Sequence, residues 1–376
     1  MSQTITAQLV LEDRVTAGTI VIDGGVITDV DLVAGSSRPA ANAPFVCPGF
    51  VDVHVHGWGG HDAMGDTAAL DGMARAVLRR GVTSFLPTAV TAPIDLLSDF
   101  AARVREWAPT APDDGAQPLG FNLEGPFLAP ARKGAHDAAF LRTPADVRRA
   151  DLEPLTDQLR LMTVAPELRG ALDLIGWLDA RGVAVSVGHS SATYDEAIAG
   201  YAAGAMSTTH LFNAMTGIDH RAPGVAAAAL LTEEAYVELI ADGVHVDRAL
   251  WPLITRLKRP DRLMLVSDAI SLAGTGDGRG HIGTLDVEVH GDRVTLVGTT
   301  TLAGSVLSLD VAVRNLVQNG VGLPAAVAAA SRNPLALLGM TDRGRIYPGQ
   351  RADLVELAED LSVIRVMRSG QWLAAR

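Results

Sequence analysis

Through most of the chain, short apolar runs rich in Val, Leu, Ile and Phe alternate with longer stretches in which apolar residues recur at helical spacing. The runs predict strands at residues 49–56, 82–86, 119–123, 159–164, 183–187, 206–209, 237–240 and 263–266. The stretches between several of them predict helices at 67–80, 94–107, 171–181 and 194–203. Strands that alternate with helices imply βαβ units, and such units pair in parallel. Eight short strands in this order predict an α/β chain centred on a (β/α)8 TIM-like barrel. A doubly wound open sheet is the rival, but no GxGxxG opens a helix after any of these strands, which weakens a dinucleotide-binding version of it.

The two ends follow a different pattern. Residues 19–22 and 26–30 read as strands around an Asp23-Gly24-Gly25 turn. Residues 345–348, 353–357 and 364–367 read the same way, with turns at Gly349-Gln350 and Ser369-Gly370. Because domain termini tend to lie close together, residues 1–48 and 344–376 are expected to pair into one small β-sandwich beside a barrel of residues 49–343. Residues 284–290 and 292–298, joined at Gly291-Asp292, predict a β-hairpin inserted near 281–298. There are no internal repeats, and residues 113–117 read as a polar loop.

Composition narrows the function classes. The chain of 376 residues is 48% hydrophobic and 20% charged, with a mean hydropathy of +0.21, which is ample material for a core and excludes disorder. Its 31 basic and 43 acidic residues give a net charge of −12, a surface that repels nucleic acid. The single cysteine, Cys47, excludes a disulfide framework and a cysteine-rich zinc site. The start, MSQTITAQLVLEDRV, carries charge early and lacks a signal-peptide run, and the Ala-rich residues 224–231 are too short to span a bilayer. A soluble, cytoplasmic protein is expected.

The polar residues that end the predicted strands carry the chemistry. His54 and His56 end the first, Glu124 the third and Asp268 follows the eighth, while His189 and His210 follow the fifth and sixth. In a (β/α)8 barrel these ends converge on one mouth, where active sites are built. Alternation along a strand points His54 and His56 to the same side. One strand-end histidine is commonly a hydrogen-bonded core residue. Glu124 and Asp268, however, each follow an apolar run, where an unpaired carboxylate is costly. So many coincidences on one face point to a shared metal site. Histidine and carboxylate ligands suit zinc, and also iron or manganese. The two lysines, Lys133 and Lys258, are not at strand ends, so a lysine-carbamate bridge between metals is not expected, and Glu124 is the natural carboxylate in its place.

Nine segments extend the pattern: PGFVDVHVHG (48–57), LEGPF (123–127), KGAHD (133–137), GHSSAT (188–193), THLFNAM (209–215), HRAPG (220–224), ADGVHVD (241–247), VSDA (266–269) and TLAGS (301–305). With them, and with Ala352-Asp353-Leu354 near the C-terminus, the chain resembles the amidohydrolase superfamily over essentially its whole length, and within it the N-acetylglucosamine-6-phosphate deacetylase family. The resemblance implies hydrolysis of N-acetyl-D-glucosamine 6-phosphate to D-glucosamine 6-phosphate and acetate, in amino-sugar catabolism and cell-wall recycling. It implies one or two divalent metal ions per subunit. Glu124, His189 and His210 match the principal ligands, and His54 and His56 match the pair that supports a second metal in some members. Asp268 matches the catalytic acid/base and His136 a histidine that contacts the substrate carbonyl. Asn213, Ala214, Arg221, His245 and Leu302 match substrate-binding positions, and Arg221 resembles an arginine donated across a homodimer. The implied partners are therefore a small amino-sugar phosphate and a second copy of the chain, with no nucleic acid and no membrane.

Two alternatives remain. Another amidohydrolase acting on a different N-acyl or cyclic amide would share the superfamily motifs, although types that bridge metals with a lysine carbamate need the missing strand-end lysine. A catalytically dead homologue that senses sugar phosphate would be expected to lack a ligand or the acid/base, and Glu124, His189, His210 and Asp268 are all present. His61 and Asp62 read as solvent-facing loop residues, and residues 131–133 as a loop able to close over the substrate.

Overall fold

The structure, a computed structural model, describes residues 2–32 and 43–375. Residues 1, 33–42 and 376, assigned above to the small β-domain, lie outside the described residues. The centre is a parallel sheet of eight successive strands: β1 (Phe50–Val55), β2 (Val82–Val90), β3 (Phe121–Glu124), β4 (Leu159–Val164), β5 (Ala184–Val187), β6 (Ser207–Thr208), β7 (Tyr236–Leu239) and β8 (Leu263–Leu265). Most of these strands are buried on both faces, which explains their nearly continuous apolar runs. β1 and β8 are the two edges of the sheet, and the segment after β8 closes the ring. The Asp268 amide donates to the His54 carbonyl at 2.9 Å, and the His56 amide donates to the Ala269 carbonyl at 2.8 Å. The chain thus has the (β/α)8 barrel expected of it, and closure runs through three of the residues singled out for chemistry.

Local signals set the helices. Thr67–Leu78 starts at Asp66, whose carboxylate accepts the Ala69 N–H, and it buries Leu70, Met73, Ala74, Val77 and Leu78. It ends short of the expected residue 80 because the chain turns at Gly81, where φ is +87° and a Cβ would stand 2.7 Å from the Phe50 ring. Tyr194–Ala202 opens with a capping box between Thr193 and Glu196. Val225–Leu231 is also a helix, buried over almost its whole length.

The two ends form one seven-stranded sheet in the order Gln371–Ala375, Val363–Arg368, Leu354–Leu357, Phe45–Pro48, Gln3–Val10, Val15–Asp23, Val26–Leu32. Leu354–Leu357 joins the ends by pairing antiparallel with Phe45–Pro48. The sheet curls until its two turns meet: a Cβ on Gly25 would lie 2.7 Å from the Ser369 carbonyl oxygen, and the Ile27 amide donates to the Gln350 carbonyl at 2.8 Å. Two layers therefore arise from one continuous sheet around Leu9, Ile20, Ile22, Val46, Leu354 and Met367. Residues 345–348 make bends rather than the expected strand; Pro348 has no N–H to give a ladder, and Ile346 is instead buried in this core. The expected hairpin is a three-stranded antiparallel sheet, Gly278–Ile282, Leu285–His290 and Arg293–Leu296. It leans on the barrel mouth, where Thr284 Oγ1 donates to Asp137 Oδ2 at 2.7 Å. No described helix is long and apolar enough to cross a membrane.

Candidate active site

At the C-terminal mouth of the barrel, all the strand-end candidates meet around one carboxylate. Glu124 Oε1 lies 3.0 Å from both His189 Nε2 and His210 Nε2, and 3.5 Å from His54 Nε2. Glu124 Oε2 lies 3.2 Å from both His56 Nε2 and His136 Nε2. Asp268 Oδ1 stands 3.2 Å from His56 Nε2 and 3.6 Å from His54 Nε2. All seven of these side chains are buried. Ligand-competent atoms of His54, His56 and Asp268 lie within 4.8 Å of one another, and so do those of Glu124, His136 and His189.

The partners of the remote ring nitrogens sort these histidines. His189 Nδ1 faces the Arg132 carbonyl at 2.7 Å, His56 Nδ1 the Thr88 carbonyl at 3.1 Å, and His54 Nδ1 the Glu238 carboxylate at 3.1 Å. In the neutral ring each acceptor keeps the proton on Nδ1 and leaves the Nε2 lone pair facing the cluster, the tautomer a metal ligand needs. His136 is wired the other way: its Nδ1 accepts the Thr91 amide at 3.2 Å, so Nε2 carries the proton and donates. His136 therefore fits hydrogen-bond donation to an oxygen better than ligation, although its distance alone would permit either.

Three buried carboxylates meet in the cluster, and imidazoles alone answer their charge among the described residues. Glu124, Asp268 and Glu238 have histidines as their only ionic partners among the described residues. Burial would push the Glu124 carboxyl up, yet His54 and His136 foremost hold it well below the usual range. Burial likewise opposes ionisation of Asp268, but the His56 hydrogen bond and the charge of His54 hold its carboxyl at about 2. Burial disfavours charge on His56, but Asp268 and Glu124 raise it to about 9, while burial leaves His189 lowered to about 4, and so neutral. The cluster attracts positive charge, and lone pairs of Glu124 and His189 converge where His210 Nε2 lies 3.0 Å from His189 Nε2. Nitrogen and carboxylate donors so placed fit a divalent cation.

The backbone pays for this convergence. His189, His210 and Asp268 take left-handed φ values of +47°, +27° and +50°, as do Phe212 at +76° and Ala214 at +49°. Such conformations cost non-glycine residues about 1–3 kcal/mol each and collect at functional sites. Here the turns at His189, His210 and Asp268, just past the ends of β5, β6 and β8, bring their side chains to the cavity at the barrel mouth.

Above the cluster lies a cavity of about 330 Å³ lined by His136, Arg132, Asn213, Ala214, His245 and Leu302 among others. His245 is held by Asp242, with Nδ1 to Oδ2 at 2.6 Å. Arg132 is the one arginine on its wall, and its guanidinium has no partner among the described residues. Arg221 does not reach this cavity. It lies on an exposed loop that lines a separate hollow with Thr193, Tyr194 and Thr216. His61 and Asp62 are half-buried rather than solvent-facing: they pair with Gly57–Trp58, and the His61 ring covers Gly72 so closely that a Cβ there would stand 2.3 Å from it. Glu238, Thr91 and Arg132 escape the strand-end reading. Glu238 is hidden within the apolar run of β7, Thr91 acts through its amide on His136 and through a hydroxyl that donates to the Glu124 carbonyl at 3.1 Å, and Arg132 is one residue of a loop.

Comparison with known proteins places the chain in a family. Residues 45–373 match the model of the Amidohydrolase family. The chain is 38% identical to an N-acetylgalactosamine-6-phosphate deacetylase of Escherichia coli O157:H7 over 93% of each sequence. It is 37% identical to the human N-acetylglucosamine-6-phosphate deacetylase, covering 94% of this chain and 91% of the relative. The crystal structure of the Thermotoga maritima N-acetylglucosamine-6-phosphate deacetylase superposes with a TM-score of 0.92 at 32% identity, over 100% of both chains. An aspartate-to-alanine mutant of the Mycobacterium smegmatis enzyme, in complex with N-acetyl-D-glucosamine-6-phosphate, superposes with a TM-score of 0.91 at 35% identity, again over 100% of both. From its sequence, its barrel and its ring of histidines around one glutamate, the chain belongs to the amidohydrolase family.

Proposed function

We propose that the protein is a deacetylase that hydrolyses N-acetyl-D-glucosamine 6-phosphate to D-glucosamine 6-phosphate and acetate. What supports this most directly is Glu124, ringed by five imidazoles within 3.5 Å and set beside Asp268 on the floor of one cavity. Glu124, His189 and His210 would hold the principal divalent cation, with His54 and His56 at a second position; zinc suits these donors best. A cation bound there supplies Lewis acidity, polarising the acetyl carbonyl and acidifying water. Asp268, ionised and buried, takes a proton from the attacking water at its carboxylate and returns it to the departing amine, serving as base and then as acid. His136 donates from Nε2 to the acetyl oxygen as negative charge develops on it. Asn213, Ala214, His245 and Leu302 contact the sugar phosphate, and Arg132 offers a cation from the cavity wall. Arg221, exposed and outside its own cavity, supports donation to the site of a second copy in a homodimer. A cytoplasmic enzyme of amino-sugar metabolism, its small β-domain built from residues 1–48 and 344–376, completes the reading.

Acetate release from N-acetylglucosamine 6-phosphate by purified protein, with elemental analysis of the same sample, tests the proposal. Turnover of cyclic ureides instead, or no turnover with zinc supplied, sinks it. The galacto epimer belongs in the same assay, because the E. coli relative is named for it. For the ligands, His189→Ala or His210→Ala should strip the principal metal, while His54→Ala with His56→Ala should affect mainly the second. The opposite pattern inverts the assignment.

A further inference from the structure

Glu238 is a carboxylate with 0% exposure in the middle of β7, and no motif in the chain announces it. Val237 and Leu239 on either side pack into the apolar shell, which leaves Glu238 pointing into the barrel. Its Oε2 receives two hydrogen bonds at 3.1 Å, one from His54 Nδ1 and one from the His210 backbone amide. Its Oε1 has no hydrogen-bond partner among the described residues. No lysine or arginine pairs with it; His54 is its only ionic partner among the described residues.

These contacts reach both halves of the cluster. His54 stands 3.2 Å from His56, nitrogen to nitrogen, while His210 stands 3.0 Å from both Glu124 and His189. The bond to His54 fixes the proton on Nδ1 and frees Nε2, and a carboxylate in that place also makes the imidazole a stronger donor. The bond to the His210 amide pins a residue whose φ of +27° is sterically unfavourable. His56 and His189 obtain the same tautomer from backbone carbonyls, so the two rings differ from His54 in having a neutral orienter. A buried carboxylate that serves only packing is costly, whereas one that faces a cation through an imidazole is compensated.

We propose that Glu238 is a positioning residue that makes the strand-1 histidines a metal position and couples that position to the principal one through His210. The inference rests on the reading that His54 and His56 hold a second cation. It is tested by titrating metal-stripped, full-length protein with Zn²⁺ against a chromophoric chelator, and by thermal unfolding of the metal-free samples. Wild type should take up two equivalents. Glu238→Gln, which keeps the shape and replaces the carboxylate by a neutral amide, should bind the second equivalent about 10–100-fold more weakly. The first equivalent should stay within about threefold, and the metal-free unfolding temperature should not fall, which separates positioning from a merely structural role. Should Glu238→Gln fail to fold, Glu238→Asp must show the same order, the second equivalent weakened before the first. A variant that binds two equivalents as tightly as wild type, or loses both equally together with its metal-free stability, overturns the inference. A wild type that binds one equivalent only overturns the two-metal reading beneath it, and the two failures are thereby distinct.

Discussion

Asp268 is held on left-handed backbone by the bonds that close the barrel: its amide donates to His54 and its carbonyl accepts the Ser305 amide at 2.8 Å. Asparagine tolerates that conformation as well as aspartate does, so Asp268→Asn changes the chemistry and spares the fold. With the proposed proton carrier gone, kcat should fall at least ~10²-fold, the lower end for losing a general acid/base, while metal content and substrate binding persist. Near-wild-type kcat in the metal-loaded variant would remove Asp268 from the mechanism. The strand-end residues were legible because each polar side chain interrupts or ends an apolar run, where only a partner justifies it. Glu238 breaks such a run too, but one residue before its end and without a motif, and Thr91 contributes to His136 an amide that every residue but proline possesses. The tautomers that separate His136 from His54, His56 and His189 depend on distances across strands, and no spacing in the sequence encodes them.

At the scale of elements, the ring closes where β1 meets the segment after β8, and glycine is required there for room. A Cβ on Gly57 would stand 2.5 Å from the His61 carbonyl oxygen and 2.6 Å from the Ser271 amide nitrogen, both of them backbone atoms that cannot rotate away. Gly57→Ala should therefore destabilise the protein by about 1–3 kcal/mol, the usual cost of overpacking, and displace His56 beside it. Gly217, with nothing within 4 Å of its missing Cβ, is the control, and Gly217→Ala should stay within about 0.5 kcal/mol of wild type. Urea midpoints compare the two directly; equal midpoints would mean the closing segment shifts without cost. Barrel strands were readable because burial on both faces gives continuous apolar runs between turn signals. Val225–Leu231 and Leu323–Ala330 were not, since alanine-rich segments buried nearly all round show no helical period. Leu309–Gln318 does carry that period, with Leu309, Ala312, Val313 and Leu316 on its buried side. The extra strand Gly278–Ile282 hides among glycines and charges, and only its pairing with Leu285–His290 reveals it.

At the scale of the molecule, the question is how a chain of net charge −12 binds a phosphorylated sugar. Within one chain the cavity wall offers Arg132, whereas Arg221 sits outside on its exposed loop. If Arg221 reaches the phosphate in a partner copy, Arg221→Ala should raise KM for the phosphorylated sugar by ten- to a hundredfold, from ~1.5–3 kcal/mol for a lost charge-assisted hydrogen bond. Turnover of unphosphorylated N-acetylglucosamine should barely change, because that sugar never makes the contact. Mixed dimers then separate the two arginines. When Arg221→Ala subunits are combined with Asp268→Asn subunits, each hybrid contains one site with an intact Asp268 that receives Arg221 from its partner, and activity at low substrate should recover. When Arg132→Ala subunits are combined with the same Asp268→Asn subunits, the site that keeps Asp268 still lacks its own Arg132, and no recovery should follow. Recovery in both mixtures would make Arg132 a trans residue as well. No recovery with Arg221→Ala, once native mass spectrometry shows that hybrids have formed, would assign Arg221 to its own subunit or to no site at all.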